Sequence, residues 1–273
     1  MSENYVSVAY RGGLGNQISN FFTMLSYALD HGKTPVLRYS KESPSITKRS
    51  TYFDTFFKEL TNFSSEIKFD HTLKEHRDDR RIELPYRDGN VLLEGYFHCH
   101  GYYYHNLERI IALLDLDAQR DEIREKYAEL LSSESPTVAV HFRLGDYKKL
   151  PQYHPIITPQ YYKNCLTYLQ ETVGTNLRFL YFCEPEDDER IVREYLPIFD
   201  GCNIVKVPNT LSDVEQLLLM SCCTVNIIAN STFSFWAAMI SRNKTVLYPS
   251  RWFHDSTSTD FCPPTWIRVD RGT

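Results

Sequence analysis

Residues 224–241, TVNIIANSTFSFWAAMIS, decide the fold class. Thr224 to Ala229 are mostly apolar and predict a buried strand, and Ser231 to Ser241 predict an apolar helix directly after it. The polar residues between them, Asn230-Ser-Thr232, are typical of a helix cap. A strand that runs straight into a helix is the unit from which parallel α/β sheets are built.

The same alternation extends through the second half of the chain. Ser212-Asp-Val-Glu215 is a capping box, and Thr158-Pro159 places proline in the first turn of a helix. This regularity predicts a parallel, doubly wound sheet, which binds ligands at the carboxyl ends of its strands. The predicted strands are residues 137–142, 177–183, 203–207, 224–229 and 244–248, and the predicted helices are residues 158–170, 185–196, 213–222 and 231–241.

The first half begins with a β-loop-α-β pattern. A strand at 5–10 leads through a glycine turn to an amphipathic helix and a second strand at 35–39. Further on, residues 91–97 predict a strand and residues 107–131 a helix, whereas residues 41–90 give no clear order. The polar segment Ser132 to Pro136 is the expected linker, so the predicted domains are residues 1–134 and 135–273.

The composition is that of an ordinary globular protein. Hydrophobic residues make up 42% and charged residues 24%, and the net charge of −5 supplies no basic field for nucleic acid or anionic membranes. The aromatic content of 14% favours core packing over ligand stacking. Seven scattered cysteines without a C-x-x-C pair indicate reduced thiols and no metal site. No apolar run reaches the ~18 residues of a membrane span, and MSENYVSVAY lacks the features of a signal peptide. The sequence therefore predicts a soluble, cytoplasmic protein.

A first candidate loop, Arg11-Gly-Gly-Leu-Gly-Asn-Gln17, lies between the first strand and the first helix. Glycines there let backbone N–H groups approach an anion or a sugar oxygen, although such a turn is as often only a turn. The loop is no dinucleotide fingerprint, because Ile18 replaces the third glycine and no acid ends the strand at 35–39. This argues against a nicotinamide-dependent oxidoreductase, one alternative that NAD(P)H titration would test.

A second candidate site follows the strand at 137–142. Strand alternation places His141 and Arg143 on one side of the chain, with Asp146 after a turn at Gly145. A guanidinium matches the geometry of a diphosphate. The structural alternative is an Arg143–Asp146 ion pair that only holds the loop.

The third candidate is the helix start at Asn230. Capping explains one hydroxyl group there, but it does not explain four polar side chains in five positions. A phosphate at the positive end of the helix would use the others.

Together and in this order, the three segments resemble the α1,2-fucosyltransferase family. The matching stretches are GGLGNQ at 12–17, HFRLGDY at 141–147 and NSTFSFWAAMI at 230–240, with smaller matches such as LEGYF at 93–97. The chain departs from the family at Phe182-Cys-Glu-Pro185, where Phe-Ser-Asp is usual, and at Phe235-Trp236, where Trp-Trp is frequent.

The resemblance implies an α/β fold of the GT-B type, with two Rossmann-like doubly wound domains facing a central cleft. It implies that residues 135–273 bind the donor GDP-fucose and that residues 1–134 form the side of the glycan acceptor. The implied reaction is inverting transfer of L-fucose to a sugar hydroxyl, O2 of a terminal galactose, without a metal or other cofactor. A non-catalytic glycan-binding module is the other alternative, although the phosphate-binding residue types are present.

The resemblance also implies roles for individual residues. Arg143 is expected to contact the β-phosphate, and Glu184, beside His141, to read the guanine. Asp146 is a candidate general base or a residue that orients Arg143, and His154 or an N-terminal acid could serve as the base instead. The predicted catalytic residues are Arg143 and Asp146, and the predicted donor-binding residues are Gly12, Gly13, Gly15, Asn16, Gln17, His141, Arg143, Glu184, Asn230, Ser231, Thr232, Phe233 and Ser234.

Overall fold

A computed structural model describes most of the chain. The described residues are 4–41, 49–76, 80–131, 134–149, 155–243, 245–253 and 261–271, apart from the side chains of Asp146 and Lys149. They form two units, one of Met1–Asp117 with Ser258–Pro263 and the other of Ala118–Thr257 with Pro264–Thr273.

The first unit holds a four-stranded parallel sheet in the order β2-β1-β4-β3. The long helix α1 buries Phe21 and Phe22 in the core, and Phe53, Phe56 and Phe57 are buried as well. The elements are β1 (Tyr5–Val8), α1 (Leu14–His31), β2 (Thr34–Pro35), β3 (His71–Lys74), β4 (Val91–Glu94) and α2 (Leu107–Leu113).

The second unit holds a six-stranded parallel sheet in the order β10-β9-β8-β5-β6-β7. Its core is rich in aromatic rings, which agrees with the packing role expected for them. The elements from the end of the first unit onward are α3 (Leu116–Lys126), α4 (Ala128–Leu131), β5 (Thr137–His141), α5 (Pro159–Thr172), β6 (Arg178–Phe182), α6 (Asp188–Glu194), β7 (Asn203–Lys206), α7 (Asp213–Cys222), β8 (Val225–Ile227), α8 (Thr232–Ser241), β9 (Val246–Pro249) and β10 (Ile267–Val269).

The strand order of the second sheet fixes where a ligand would bind. From β5 the chain proceeds outward through β6 to β7, and it then returns to the other side of β5 to form β8, β9 and β10. This reversal is the switch point of a doubly wound sheet, where two loops diverge and leave a crevice. The predicted α/β class with parallel sheets is confirmed, and the carboxyl ends of β5 and β8 are the natural place for a site.

Several predicted boundaries needed correction. The single helix predicted over 107–131 is three helices, because the backbone of Asp115 adopts a φ of 49° between α2 and α3. The strand predicted over 91–97 ends at Glu94, and Phe97 has a φ of 54°, outside the range of a strand. Strands β3 and β10 were not predicted. The capping box of Ser212 and Glu215 is present as predicted.

The two helices directly before β5, α3 and α4, lie almost entirely with the second unit. Arg120 donates to the carbonyl of Ser221 at 3.1 Å, and both Lys126 and Tyr127 donate to a carboxylate oxygen of Glu215 at 2.7 Å. These bonds attach α3, and the residue between α3 and α4, to α7. By its contacts the first unit ends at Asp117, ahead of α3 and α4, whereas the boundary predicted from the sequence is 134; the predicted division into functional domains stays a prediction.

A late segment of the chain completes the first unit. Phe261 and Cys262 are 4% and 3% exposed, and the Phe261 ring lies 5.7 Å from that of His98. All seven cysteines are unbonded, as predicted. Within the described ranges, the structure contains no helix with the length and apolar character needed to cross a bilayer.

Candidate functional site

His141 ends β5 at the switch point and is buried. The Tyr162 hydroxyl donates to its carbonyl oxygen at 2.8 Å, and the Phe233 ring lies 5.6 Å from its ring. Burial, assisted by the Arg143 charge, lowers the pKa of His141 to about 3. The imidazole is therefore neutral at physiological pH. Its Nδ1 has no hydrogen-bond partner among the described residues.

Arg143 lies two residues beyond His141 and forms an ion pair with Glu184, which follows β6. Its side chain is 20% exposed, and its guanidinium lies 5.1 Å from the centre of the Tyr147 ring. The alternative hypothesis, in which these residues only hold the loop, predicts that Arg143 pairs with Asp146, whose side chain lies outside the described residues. Glu184 is the carboxylate that contacts Arg143 in the described structure, so the two residues expected to bind opposite ends of GDP touch each other here.

The turn after β5 is held by Asp187, a residue that the sequence interpretation missed. Asp187 is 1% exposed, and its carboxylate accepts bonds from the Gly145 backbone N–H and the Lys148 ammonium. Gly145 has a φ of 23°, and a side chain there would collide with Glu184. Glu184 is the N-cap of a short 3-10 helix, Pro185–Asp187, and Asp187 is its last residue, so both carboxylates belong to one turn. The acid-rich run Glu184-Pro-Glu-Asp-Asp188 was the available sequence signal.

The Asn230 segment follows β8 on the other side of the switch point. The Asn230 amide donates to the carbonyls of Pro155 at 2.9 Å and Trp252 at 3.1 Å, so it ties three loops together. The backbone carbonyl of Asn230 accepts a 2.9 Å bond from the Tyr147 hydroxyl. Tyr147 therefore links the loop that carries Arg143 to the start of α8.

The hydroxyl groups at the start of α8 differ in their availability. Ser234 is buried and donates to the carbonyls of Ala229 and Ser231 at 3.4 and 3.3 Å. Ser231 is the N-cap residue, yet its hydroxyl makes no capping bond in the described structure. Thr232 and Phe233 are both half-buried. The Ser234 hydroxyl thus bonds to carbonyl oxygens at and before the N-cap of α8, and the binding role expected of the hydroxyl cluster stays a prediction.

The glycine loop of the first unit has its own internal bonds. Gly12 has a φ of 75°, and a side chain there would approach the Asn16 amide to 2.5 Å. Gln17 is fully buried and donates to the carbonyls of Gly12 at 2.9 Å and Ser50 at 2.8 Å. Gly13 caps α1 in an extended conformation, with nothing described within 4 Å of the position of a Cβ. Gly15 lies buried in the first turn of α1.

The described residues contain no group of three or more His, Cys, Asp or Glu side chains that could hold a metal ion. The candidate base Asp146 has a described backbone but no described side chain, and His154 lies outside the described residues. The roles expected for both stay predictions.

Comparisons with known proteins give the family context. A sequence profile described as Glycosyl transferase family 11 matches residues 64–269. An alpha-1,2-colitosyltransferase of Escherichia coli is 32% identical over 143 residues, which are 50% of this chain and 48% of that protein. The O-antigen biosynthesis glycosyltransferase WbnK of Escherichia coli is 25% identical over 148 residues, covering 52% and 48%. The chain thus spans about half the length of these two relatives.

Solved structures resemble the fold. A variant of Arabidopsis thaliana FUT1 in complex with GDP has a TM-score of 0.53 at 12% identity, covering 96% of this chain and 75% of that one. A glycosyl transferase family 9 protein from Veillonella parvula has a TM-score of 0.50 at 11% identity, covering 98% and 86%. At such identities the likeness concerns the fold alone.

Proposed function

Because the chain belongs to glycosyl transferase family 11, we propose that it transfers L-fucose from GDP-fucose to a sugar hydroxyl with inversion at the anomeric carbon. The observation that carries the proposal is the placement of Arg143 at the switch point of the second sheet, beside a buried neutral histidine and on a loop that Tyr147 links to the start of α8.

The proposed diphosphate site uses two sources of positive potential. The Arg143 guanidinium supplies a full charge and two parallel donors, and the start of α8 supplies partial positive charge with the Ser231 and Thr232 hydroxyls. Both belong to the second unit. When the bond between the sugar and GDP breaks, negative charge grows on the departing phosphate oxygen, and these groups would stabilise it.

The neighbouring imidazole suits a polar but uncharged partner. His141 stays neutral because it is buried and lies beside Arg143. A neutral ring can both donate and accept, so it would contact a ribose hydroxyl or the base without a further positive charge. Glu184 would accept bonds from the guanine N1–H and amino group, in exchange for its present pairing with Arg143.

In the proposed reaction the acceptor hydroxyl attacks the anomeric carbon of the sugar opposite the GDP oxygen. A bond forms between the acceptor oxygen and the anomeric carbon, the bond to GDP breaks, and a general base takes the acceptor proton. Asp146 is our candidate for that base from its sequence position, or it orients Arg143. An O2 of a terminal galactose is the proposed acceptor atom.

A second candidate donor sugar is colitose, because one of the relatives is an alpha-1,2-colitosyltransferase. Colitose is L-fucose without its 3-hydroxyl group. A pocket that bonds that hydroxyl would reject the deoxy sugar strongly, whereas an apolar pocket would accept both. Competition between GDP-fucose and GDP-colitose therefore distinguishes the two donors.

The test is transfer from each donor to a panel of galactosides, with EDTA present and the product linkage read by NMR. We expect an α1,2 linkage and unchanged rates in EDTA, because the proposed stabilisation of the leaving group comes from Arg143 and α8. Absence of transfer from either donor to any galactoside, with binding to the galactosides retained, would instead favour the non-catalytic glycan-binding module.

A further inference from the structure

An exposed tyrosine lies beyond the carboxyl end of β2 in the first unit. Tyr39 is 49% exposed and comes shortly after β2. Its neighbour Arg38 is tied to the segment that follows β1, because the Tyr10 hydroxyl donates to the Arg38 carbonyl at 2.8 Å. Since β1 and β2 are parallel, Tyr39 lies at the carboxyl edge of the first sheet, the edge at which open α/β sheets bind ligands.

The Tyr39 ring packs against two other aromatic rings. The ring centres of Tyr39 and Phe53 are 5.7 Å apart, and those of Tyr39 and Phe63 are 5.4 Å apart with an interplanar angle of 90°. Phe53 is 4% exposed and also contacts the Tyr10 ring at 5.5 Å, so this support belongs to the core. The ring of Tyr39 is thus fixed in orientation although about half of the residue is exposed.

A carboxylate holds the hydroxyl end of the same ring. The Tyr39 hydroxyl donates to Oδ2 of Asp54 at 3.2 Å, and this bond raises the pKa of Tyr39. The phenol therefore stays protonated, and Asp54 stays an acceptor. Asp54 is exposed, and among the described residues it accepts no other hydrogen bond, so its second oxygen can accept one from a ligand.

A flat ring beside an exposed carboxylate suits a sugar. In a galactose ring the hydrogen atoms on C3, C4 and C5 lie on one face, so that face is apolar and the hydroxyl groups point away from it. Such a face packs on an aromatic ring, and a carboxylate beside the ring accepts bonds from the neighbouring hydroxyl groups. Neither Tyr39 nor Asp54 carries positive charge, and Asp54 would repel a phosphate.

We propose that Tyr39 stacks on the galactose ring of the acceptor glycan and that Asp54 accepts one of its hydroxyl groups. This rests on the proposed function, which it deepens by assigning residues to the acceptor, and it concerns binding to the first unit alone. Tyr39 and Asp54 would set the affinity for the acceptor and take no part in breaking the bond to GDP.

The first unit contains a matched control at its opposite edge. Tyr86 is also 49% exposed, and its hydroxyl donates to Oδ1 of Asp88 at 2.8 Å, a bond that raises the pKa of Tyr86 in the same way. Tyr86 precedes β4, and the ammonium of Lys33, the residue before β2, lies 5.2 Å from its ring centre. Tyr86 therefore lies at the amino edge of the first sheet, where we expect no acceptor site.

The test uses methyl β-galactoside as the acceptor. Its Kd is measured without donor by NMR titration, and its KM is measured in the transfer assay. Tyr39→Ala should raise both by about tenfold, on the scale of one lost aromatic contact. The kcat and the KM for the donor should stay unchanged, because the lost interaction serves binding only.

Three further variants define the contribution of each group. Tyr39→Phe should bind the galactoside nearly as well as the wild type, because it keeps the ring. Asp54→Asn should weaken binding by several fold, since an amide oxygen is a weaker acceptor than a carboxylate. Tyr86→Ala should leave the Kd, both KM values and kcat unchanged.

Two kinds of result would overturn the proposal. The first is a wild-type chain that does not bind the galactoside, or wild-type affinity in Tyr39→Ala, or an equal loss in Tyr86→Ala. The second is a lower kcat of Tyr39→Ala at an unchanged acceptor KM, which would place Tyr39 in the reaction itself. If Tyr39→Ala fails to fold, Tyr39→Leu serves instead, because it keeps an apolar contact with Phe53 and lacks the flat ring; it should weaken binding to the same extent.

The two proposals can fail separately. A wild-type chain that binds the galactoside and transfers no sugar would contradict the proposed function, and the Kd values of the variants would still decide the role of Tyr39. Normal transfer with an unaffected Tyr39→Ala would contradict this proposal alone.

Discussion

Replacement of Arg143 by alanine separates catalysis from stability. The guanidinium contacts Glu184 and lies over Tyr147, yet the Arg143 and Glu184 side chains are 20% and 34% exposed. A partly exposed ion pair contributes about 1 kcal/mol or less to stability. For a chain of this size the expected fall in Tm is therefore only about 2–4 °C.

The expected loss of activity is much larger. A donor aimed at charge that develops in the transition state contributes about 10²–10³ in kcat, or roughly 3–4 kcal/mol. Arg143→Ala should therefore lower kcat by at least about 100-fold with a nearly unchanged Tm. Arg143→Lys should fall between alanine and the wild type, because it keeps the charge and loses the second parallel donor.

The assay is the initial rate of GDP release with a saturating acceptor, and Arg178→Ala is the matched control. Arg178 pairs with Thr137 at the amino ends of β6 and β5, the opposite end of the same strand pair from the site. Its replacement should leave kcat unchanged. A kcat of Arg143→Ala within a few fold of the wild type would refute the assignment, and an equal loss in Arg178→Ala would point to general damage to the sheet.

Three further predictions concern neighbouring residues. The pKa of His141 is about 3 in the folded chain and near 6.5 in the unfolded chain. The stability gained by keeping this imidazole neutral is therefore complete above pH 6.5 and is lost as the pH falls toward 3. When the pH falls from 7.5 to 5, the free energy of unfolding measured in urea titrations should fall by about 2 kcal/mol less in His141→Gln than in the wild type. Equal falls in the two proteins would contradict the burial argument. Glu184→Gln should raise the KM for the donor and relax the preference for GDP over ADP sugars, whereas a lower kcat with intact preference would show that Glu184 only orients Arg143. Gly145→Ala should lower stability by about 1–3 kcal/mol, because a residue with a side chain is strained at its φ of 23° and the Glu184 carboxylate must move aside; an unchanged Tm would argue against that strain.

The second sheet was largely predictable because its strands are apolar and its helices carry standard start signals. The Ser212 capping box and the proline at the start of α5 appear where the sequence placed them. The first unit was harder to predict. Strand β3 has three exposed residues out of four, so it lacks the apolar alternation that identifies a strand.

The candidate site was predictable in position and less so in its contacts. The apolar run at 137–142 correctly placed His141 at the carboxyl end of β5, next to the loop that carries Arg143. The contacts of Arg143 with Glu184 and of Gly145 with Asp187 join residues about 40 positions apart, and such pairings depend on strand order rather than on local pattern. The role of Asp187 in holding the turn after β5 could not be predicted, because an acid at the start of a helix is ordinarily explained by the helix dipole.

Because Phe261 and Cys262 pack in the first unit, they affect the order in which the two units can fold during synthesis. The amino-terminal sheet is synthesised early, but a buried part of its core is encoded only after β5 to β9 of the second unit. The first unit cannot complete its interior until residues 261 and 262 have been synthesised, and by then every strand of the second unit except β10 has been synthesised. Released chains truncated at residue 255, which lack these two side chains, should accordingly show lower protease resistance in the first unit than the full chain does.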